Sequence, residues 1–147
     1  MRSKLVPALL VASLGFAVAS EAFAQENYRQ VVRNEIQRHQ QDILSRGFRL
    51  DRDMLTGSLR DDAQESYQIQ LQGGVSYVIQ GACDQDCNDF DLRIFDPNGN
   101  QLDEDIATDD WPRLTFTAPN TGTYRLLAMM PGCNTSPCYW GAQIYRQ

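Results

Sequence analysis

The chain has 147 residues, 13 of them basic and 19 acidic, with a net charge of −6 at neutral pH. That length accommodates one domain of ordinary size. The acidic balance excludes a nucleic-acid binder, whose affinity rests on Lys and Arg neutralising phosphates, and argues against anionic lipid surfaces.

The first segment reads as a secretory signal. Arg2 and Lys4 make a positive start, Leu5 to Ala19 is apolar or small apart from Ser13, and Ala22-Phe23-Ala24 is a small-residue cleavage site. A spanning helix needs roughly 20 apolar residues, and Glu21 closes this run too early. Cleavage after Ala24 removes Arg2, Lys4 and Glu21 and moves the net charge from −6 to −7. No later segment is apolar enough to insert in a membrane. The expected organisation is a signal peptide over residues 1–24, an amphipathic helix over 25–47 and a β domain over 48–147. The expected location is the periplasm or the outside of the cell.

Gln25 to Arg46 has helical periodicity. Tyr28, Val32, Ile36, His39 and Ile43 recur at steps of three or four and share one face, with Val31 and Leu44 widening it. Gly47 is a natural helix stop. A lone amphipathic helix is marginal in water, so this one is expected to pack on the domain that follows. A docking helix for a partner is the alternative.

From Leu55 the period changes to two. Tyr67, Ile69 and Leu71 alternate with Gln, as in a strand with one wet face. Gly73-Gly74 is a turn, and Val75, Tyr77 and Ile79 alternate again. Leu92 and Ile94 mark a third run, closed by Asp96-Pro97-Asn98-Gly99. Leu114 and Phe116 follow, then the turn Pro119-Asn120-Thr121-Gly122. Tyr124, Leu126, Ala128 and Met130 make a fifth run, and Trp140, Ala142 and Ile144 the last. Short strands at this spacing predict a mainly β fold, an antiparallel sandwich preceded by one helix.

Four cysteines remain: Cys83, Cys87, Cys133 and Cys138. An even count behind an export signal reads as disulfides. Zinc is disfavoured, because the spacings lack the tight C-x2-C knuckle. Local pairing is expected, Cys83 with Cys87 and Cys133 with Cys138, the second across a hairpin tip between the last two strands. Crossed pairing is the competitor, since an up-and-down trace puts both loops at one end of the sandwich. Asp84, Asp86, Asp89, Asp91 and Asp110 fall at that same end. Such an oxygen-rich set suits calcium, whereas the alternative has these carboxylates capping turns. Tyr139 and Trp140 are adjacent, so in a strand at least one should face out as a contact residue. The other reading packs both, one in the core and one under the helix. His39 is the only histidine, and its place on the apolar face argues against a catalytic base. With the cysteines oxidised no thiolate is available.

The β residues resemble the bacterial pre-peptidase C-terminal domain family. The resemblance rests on Leu55-Thr-Gly-Ser-Leu59, Ser66-Tyr-Gln-Ile-Gln-Leu71, Gly73-Gly-Val-Ser-Tyr-Val-Ile79, Asp89-Phe-Asp-Leu-Arg-Ile-Phe-Asp-Pro-Asn-Gly99 and Pro119-Asn-Thr-Gly-Thr-Tyr124. These carry a D-x-D-L strand, a D-x-x-G turn and a T-G-x-Y strand entry in the family's order, between about Leu55 and Tyr145. The resemblance implies a small jelly-roll-like β-sandwich, here a stand-alone secreted module. It also raises calcium, which some relatives bind, and places Asp91 where a carboxylate could accept backbone N–H bonds from a neighbouring loop. The cysteine loops are not a general feature of that family, so the resemblance implies no role for them.

The expected function is therefore a non-catalytic binding or accessory module that contacts an envelope or extracellular protein or polysaccharide. It requires no cofactor, with calcium the one candidate. A structural envelope protein without a ligand is the alternative, and a small secreted hydrolase the third reading.

Overall fold

The computed structural model describes residues 16–147, with side chains from Glu26 onward. The start of the expected signal, residues 1–15, lies outside the described residues. Two helices lead, α1 (Phe16–His39) and α2 (Gln41–Ser45). Nine strands follow: β1 (Arg49–Leu50), β2 (Leu55–Leu59), β3 (Ala63–Leu71), β4 (Ser76–Cys83), β5 (Cys87–Phe95), β6 (Gln101–Asp105), β7 (Arg113–Thr117), β8 (Gly122–Cys133) and β9 (Cys138–Arg146). No helix among the described residues is long and apolar enough to cross a membrane.

The strands form two antiparallel sheets. One runs β1-β9-β4-β7, with β2 also paired to β9, and the other runs β3-β8-β5-β6. From β2 onward, only the step from β5 to β6 stays within one sheet. Every other connection crosses between sheets, as in a jelly roll. The last two strands are thus not a hairpin: β8 belongs to one sheet and β9 to the other. Alternate apolar residues fill the space between, including Phe90, Leu92, Ile94, Leu114, Tyr124, Leu126, Trp140 and Ile144. Every run of period-two alternation in the sequence lies in a strand of this sandwich, apart from Val75, which sits one residue ahead of β4.

The helical stripe covers the outer face of the sheet that contains β9 and β4. Val32 and Ile36 are buried beside Ala82, Ile43 beside Phe48, Val78 and Tyr145. Tyr28 stacks on Tyr139 at 4.5 Å, and His39 on Trp111 at 4.7 Å. Leu44 does not widen the stripe; it is 40 % exposed. The helix is also not continuous, because it breaks at Gln40. The His39 carbonyl at the break accepts a 2.8 Å bond from Arg113 Nη2, and Arg113 Nε donates to Gln80 Oε1 at 2.7 Å. The same guanidinium grips both carboxylate oxygens of Asp42. Arg113, from β7, thus replaces the helical bond that the break forfeits.

Candidate functional site

Both disulfides are local in sequence and both join the two sheets. Cys83 ends β4 and Cys87 starts β5, with Cα atoms 5.9 Å apart. Cys133 ends β8 and Cys138 starts β9, with Cα atoms 5.8 Å apart. They lie side by side, because Cys87 and Cys133 are ladder partners on β5 and β8. One end of the sandwich is therefore stapled twice. Each strand still reverses direction, so the loops 60–62, 84–86, 106–112 and 134–137 gather at this end.

The loops are bonded to one another. Asp61 Oδ1 accepts the Cys133 N–H at 2.7 Å, and the Asp61 N–H donates to Ser136 Oγ at 3.0 Å. The Asn134 N–H reaches the Asp86 carbonyl at 2.8 Å. The 106–112 loop is held at three points. The Phe90 N–H donates to the Asp109 carbonyl at 2.9 Å, the Gly81 N–H to the Pro112 carbonyl at 2.7 Å, and Gln80 Nε2 to the Trp111 carbonyl at 3.0 Å. On this fixed backbone Ile106 and Trp111 remain 51 % and 42 % exposed. One face of the Trp111 ring is covered by His39. An ordered rim with two exposed apolar side chains can present a contact at low conformational cost.

The acidic residues have separate fates. Asp84 is buried, and its oxygens accept the Asp86 N–H at 3.3 Å and the Tyr139 N–H at 2.9 Å, pinning the first cysteine loop to β9. Its carboxyl is nonetheless raised, because burial outweighs those bonds. Asp89 and Asp91 flank a β-bulge on β5 opposite β8, and each has one buried oxygen, Oδ1, with no hydrogen-bond partner. Burial, and secondarily Asp109, raises Asp89. Burial first, then the carboxylates of Asp89 and Asp105, pushes Asp91 up to about 6. The expected role for Asp91, accepting N–H bonds from a neighbouring loop, is not what the structure shows. Asp96 instead closes its own turn, accepting from the Asn98 and Asn100 N–H groups and from the Asn100 side chain, which holds it below the usual carboxylate range.

Asp84, Asp86, Asp89, Asp91 and Asp110 are not brought together as one donor set. Asp84 is committed to backbone N–H groups, and among the described residues no three His, Cys, Asp or Glu side chains are arranged to hold a metal ion. The aromatic pair is also placed differently from the exposed alternative. Trp140 lies in the core, 1 % exposed, against Tyr67 and Phe90. Tyr139 sits under α1 against Tyr28. Among the described residues the exposed aromatic is Trp111, which sequence reasoning passed over. Its signal was there, an apolar ring between Asp109-Asp110 and Pro112, outside any alternating run.

No family model matches the chain, and no curated protein matches it. Its fold is shared with solved structures. PliG of Aeromonas hydrophila, a periplasmic inhibitor of g-type lysozyme, aligns at a TM-score of 0.50 and 12 % identity, over 65 % of this chain and 85 % of PliG. The pre-peptidase C-terminal domain of a Bacillus anthracis collagenase aligns at a TM-score of 0.50 and 14 % identity, over 63 % of this chain and 87 % of that domain. At these identities the likeness is one of fold.

Proposed function

We propose that the chain is an exported, non-catalytic module that binds a protein partner through the stapled end of the sandwich. The observation that carries this reading is Trp111, an exposed indole on a loop whose backbone is bonded to both sheets. Exposed aromatics on ordered backbone are the usual anchors of protein interfaces. The A. hydrophila lysozyme inhibitor, a protein directed at another protein, has the same fold, which supports the reading. Catalysis is disfavoured: all four cysteines are oxidised and His39 is stacked on Trp111. Export rests on the leader and the disulfides. Among the described side chains, the aromatic and apolar contacts of α1 with the sandwich involve Tyr28, Val32, Ile36 and His39, all beyond Ala24, and the exported protein should begin at Gln25.

The test is capture from a native envelope extract by the wild-type chain and by Trp111→Ala. One protein should be recovered by the wild type and bound at least about thirtyfold more weakly by the variant, the range of an interface hot spot. Equal recovery would remove the rim from the interface. Recovery of polysaccharide alone, or of nothing, would favour the carbohydrate or the purely structural reading.

A further inference from the structure

On the outer face of the β3-β8-β5-β6 sheet, at its stapled end, a depression of about 130 Å³ is lined by Asp62, Ala63, Gln64, Asp91, Met129, Met130 and Pro131. Asp91 is 8 % exposed, and no side-chain hydrogen bond or ion pair reaches it among the described residues. Its Oδ1 is buried without a partner. The bulge between Asp89 and Asp91 turns this stretch of β5 out of its regular register against β8. The charged groups around Asp91 are Asp89, Asp105 and Asp109, which oppose its ionisation, and Arg93, which favours it. Arg93 is already paired with Glu104 at 2.8 Å, and Asp62 adds a further carboxylate at the depression's edge.

We propose that this depression is a receptor for one basic side chain, a lysine or arginine of the protein partner. The inference deepens the proposed function and rests on it. An unpaired buried carboxylate costs the fold stability, so its presence calls for a cation that the described residues do not supply. The walls decide which cation. Calcium takes six to eight oxygens, whereas the half-buried Met129 and Ala63 and the exposed Pro131 offer apolar surface. Such a wall covers the methylene stem of a lysine or arginine while its charged head meets Asp91. Methionine adapts its shape to such a stem. The acidic net charge favours a basic partner, and the carboxylates of Asp89, Asp105 and Asp109 around Asp91 draw it toward this end.

The experiment is an amide NMR titration of the purified protein at pH 7.5 with Nα-acetyl-lysine methylamide, its arginine counterpart, the uncharged norleucine analogue and calcium chloride. The expected result is saturable shifts centred on Ala63, Asp91 and Met129 with the two cationic analogues and none with norleucine. They should weaken as pH falls through about 6, where Asp91 takes up a proton. Asp91→Asn should abolish them. A second readout needs no variant: the carboxyl carbon of Asp91 in the wild type should titrate at least about one unit lower with the lysine analogue at saturation, a tenfold preference for the ionised form. Shifts spread over all acidic residues, equal shifts with norleucine, calcium alone moving these amides, or an unmoved Asp91 midpoint would each overturn the proposal. Capture through Trp111 is measured separately, so the rim and the depression can fail independently.

Discussion

Burial without a donor pushes the Asp91 carboxyl up to about 6 from an ordinary value of 3.8. Between those two values the folded chain holds the proton more tightly than the unfolded chain does. The contribution of Asp91 to stability is therefore most favourable with its carboxyl protonated and falls as pH rises through this window, with the whole cost present above about pH 6. Two units correspond to about 3 kcal/mol. Asp91→Asn removes the ionisation, so it should stabilise the protein against urea at pH 7.5 by up to about 3 kcal/mol and leave it unchanged near pH 4. The same difference at both pH values, or a loss at pH 7.5, would mean that Asp91 is paired in solution. Asp84 and Asp96 have the same side chain but are supplied with backbone N–H groups. The sequence showed an acidic stretch from Asp84 to Asp91 but not this division, because two register shifts on β5 decide which carboxylates meet donors. Trp140 was ambiguous for a similar reason. It enters the core because Gly57, its ladder partner on β2, has no side chain: a Cβ there would lie 2.9 Å from the indole.

Long elements were legible and short ones were not. β8 and β9 carry several alternating apolar residues each, which fixes both strand and face. β1 has two residues, and β6 is Gln-Leu-Asp-Glu-Asp with one half-buried apolar side chain. Nothing in either carries a period. β6 is held instead by its acids: Asp103 accepts the Thr115 N–H at 2.7 Å and Asp105 the Arg113 N–H at 2.8 Å, which ties the edge of one sheet to β7 of the other. The helix break at Gln40 was invisible because the apolar stripe continues across it, and its stabiliser lies more than 70 residues away. Arg113→Ala should cost about 1–3 kcal/mol, since it strands the buried Gln80 and the His39 carbonyl. The amides of Leu44, Arg46 and Gly47, which close α2, should then exchange faster while those of β8 keep their protection. Arg113→Lys should recover only part of this, having no planar fork to reach three acceptors at once. Unchanged exchange at Leu44 and Gly47 would show that α2 is held by Ile43 alone.

For the whole molecule, the two disulfides act on the relation between sheets rather than on two loops. The hairpin expected around Cys133 and Cys138 was wrong about topology, because a five-residue step looks the same in sequence whether it returns to the same sheet or crosses to the facing one. The structure makes it a crossing, and the Cys83–Cys87 step likewise. Closing loops this short contributes only about 2 kcal/mol each in the chain-entropy model. The larger effect should be positional. With Cys83 and Cys87 both replaced by Ala, the amides of residues 84–86, 106–112 and 134–137 should lose protection, because those loops share bonds with the first cysteine loop and with Phe90. The opposite end, where Asp96 closes the β5–β6 turn with its own carboxylate, should keep its protection. Capture of the partner by Trp111 should fall with the rim and not with total stability. Connectivity is checked first. Trypsin cuts at Arg60, Arg93, Arg113 and Arg125, and local pairing leaves each disulfide inside one peptide, 61–93 or 126–146. Crossed pairing would join these two peptides through sulfur. Because Cys87 and Cys133 already face each other across the ladder, such a species is the one to expect from misoxidised protein. It would tie β5 to β8 within one sheet and leave the two sheets unstapled. A crossed isomer that kept full loop protection and full capture would show that the staple between sheets is not what orders the rim.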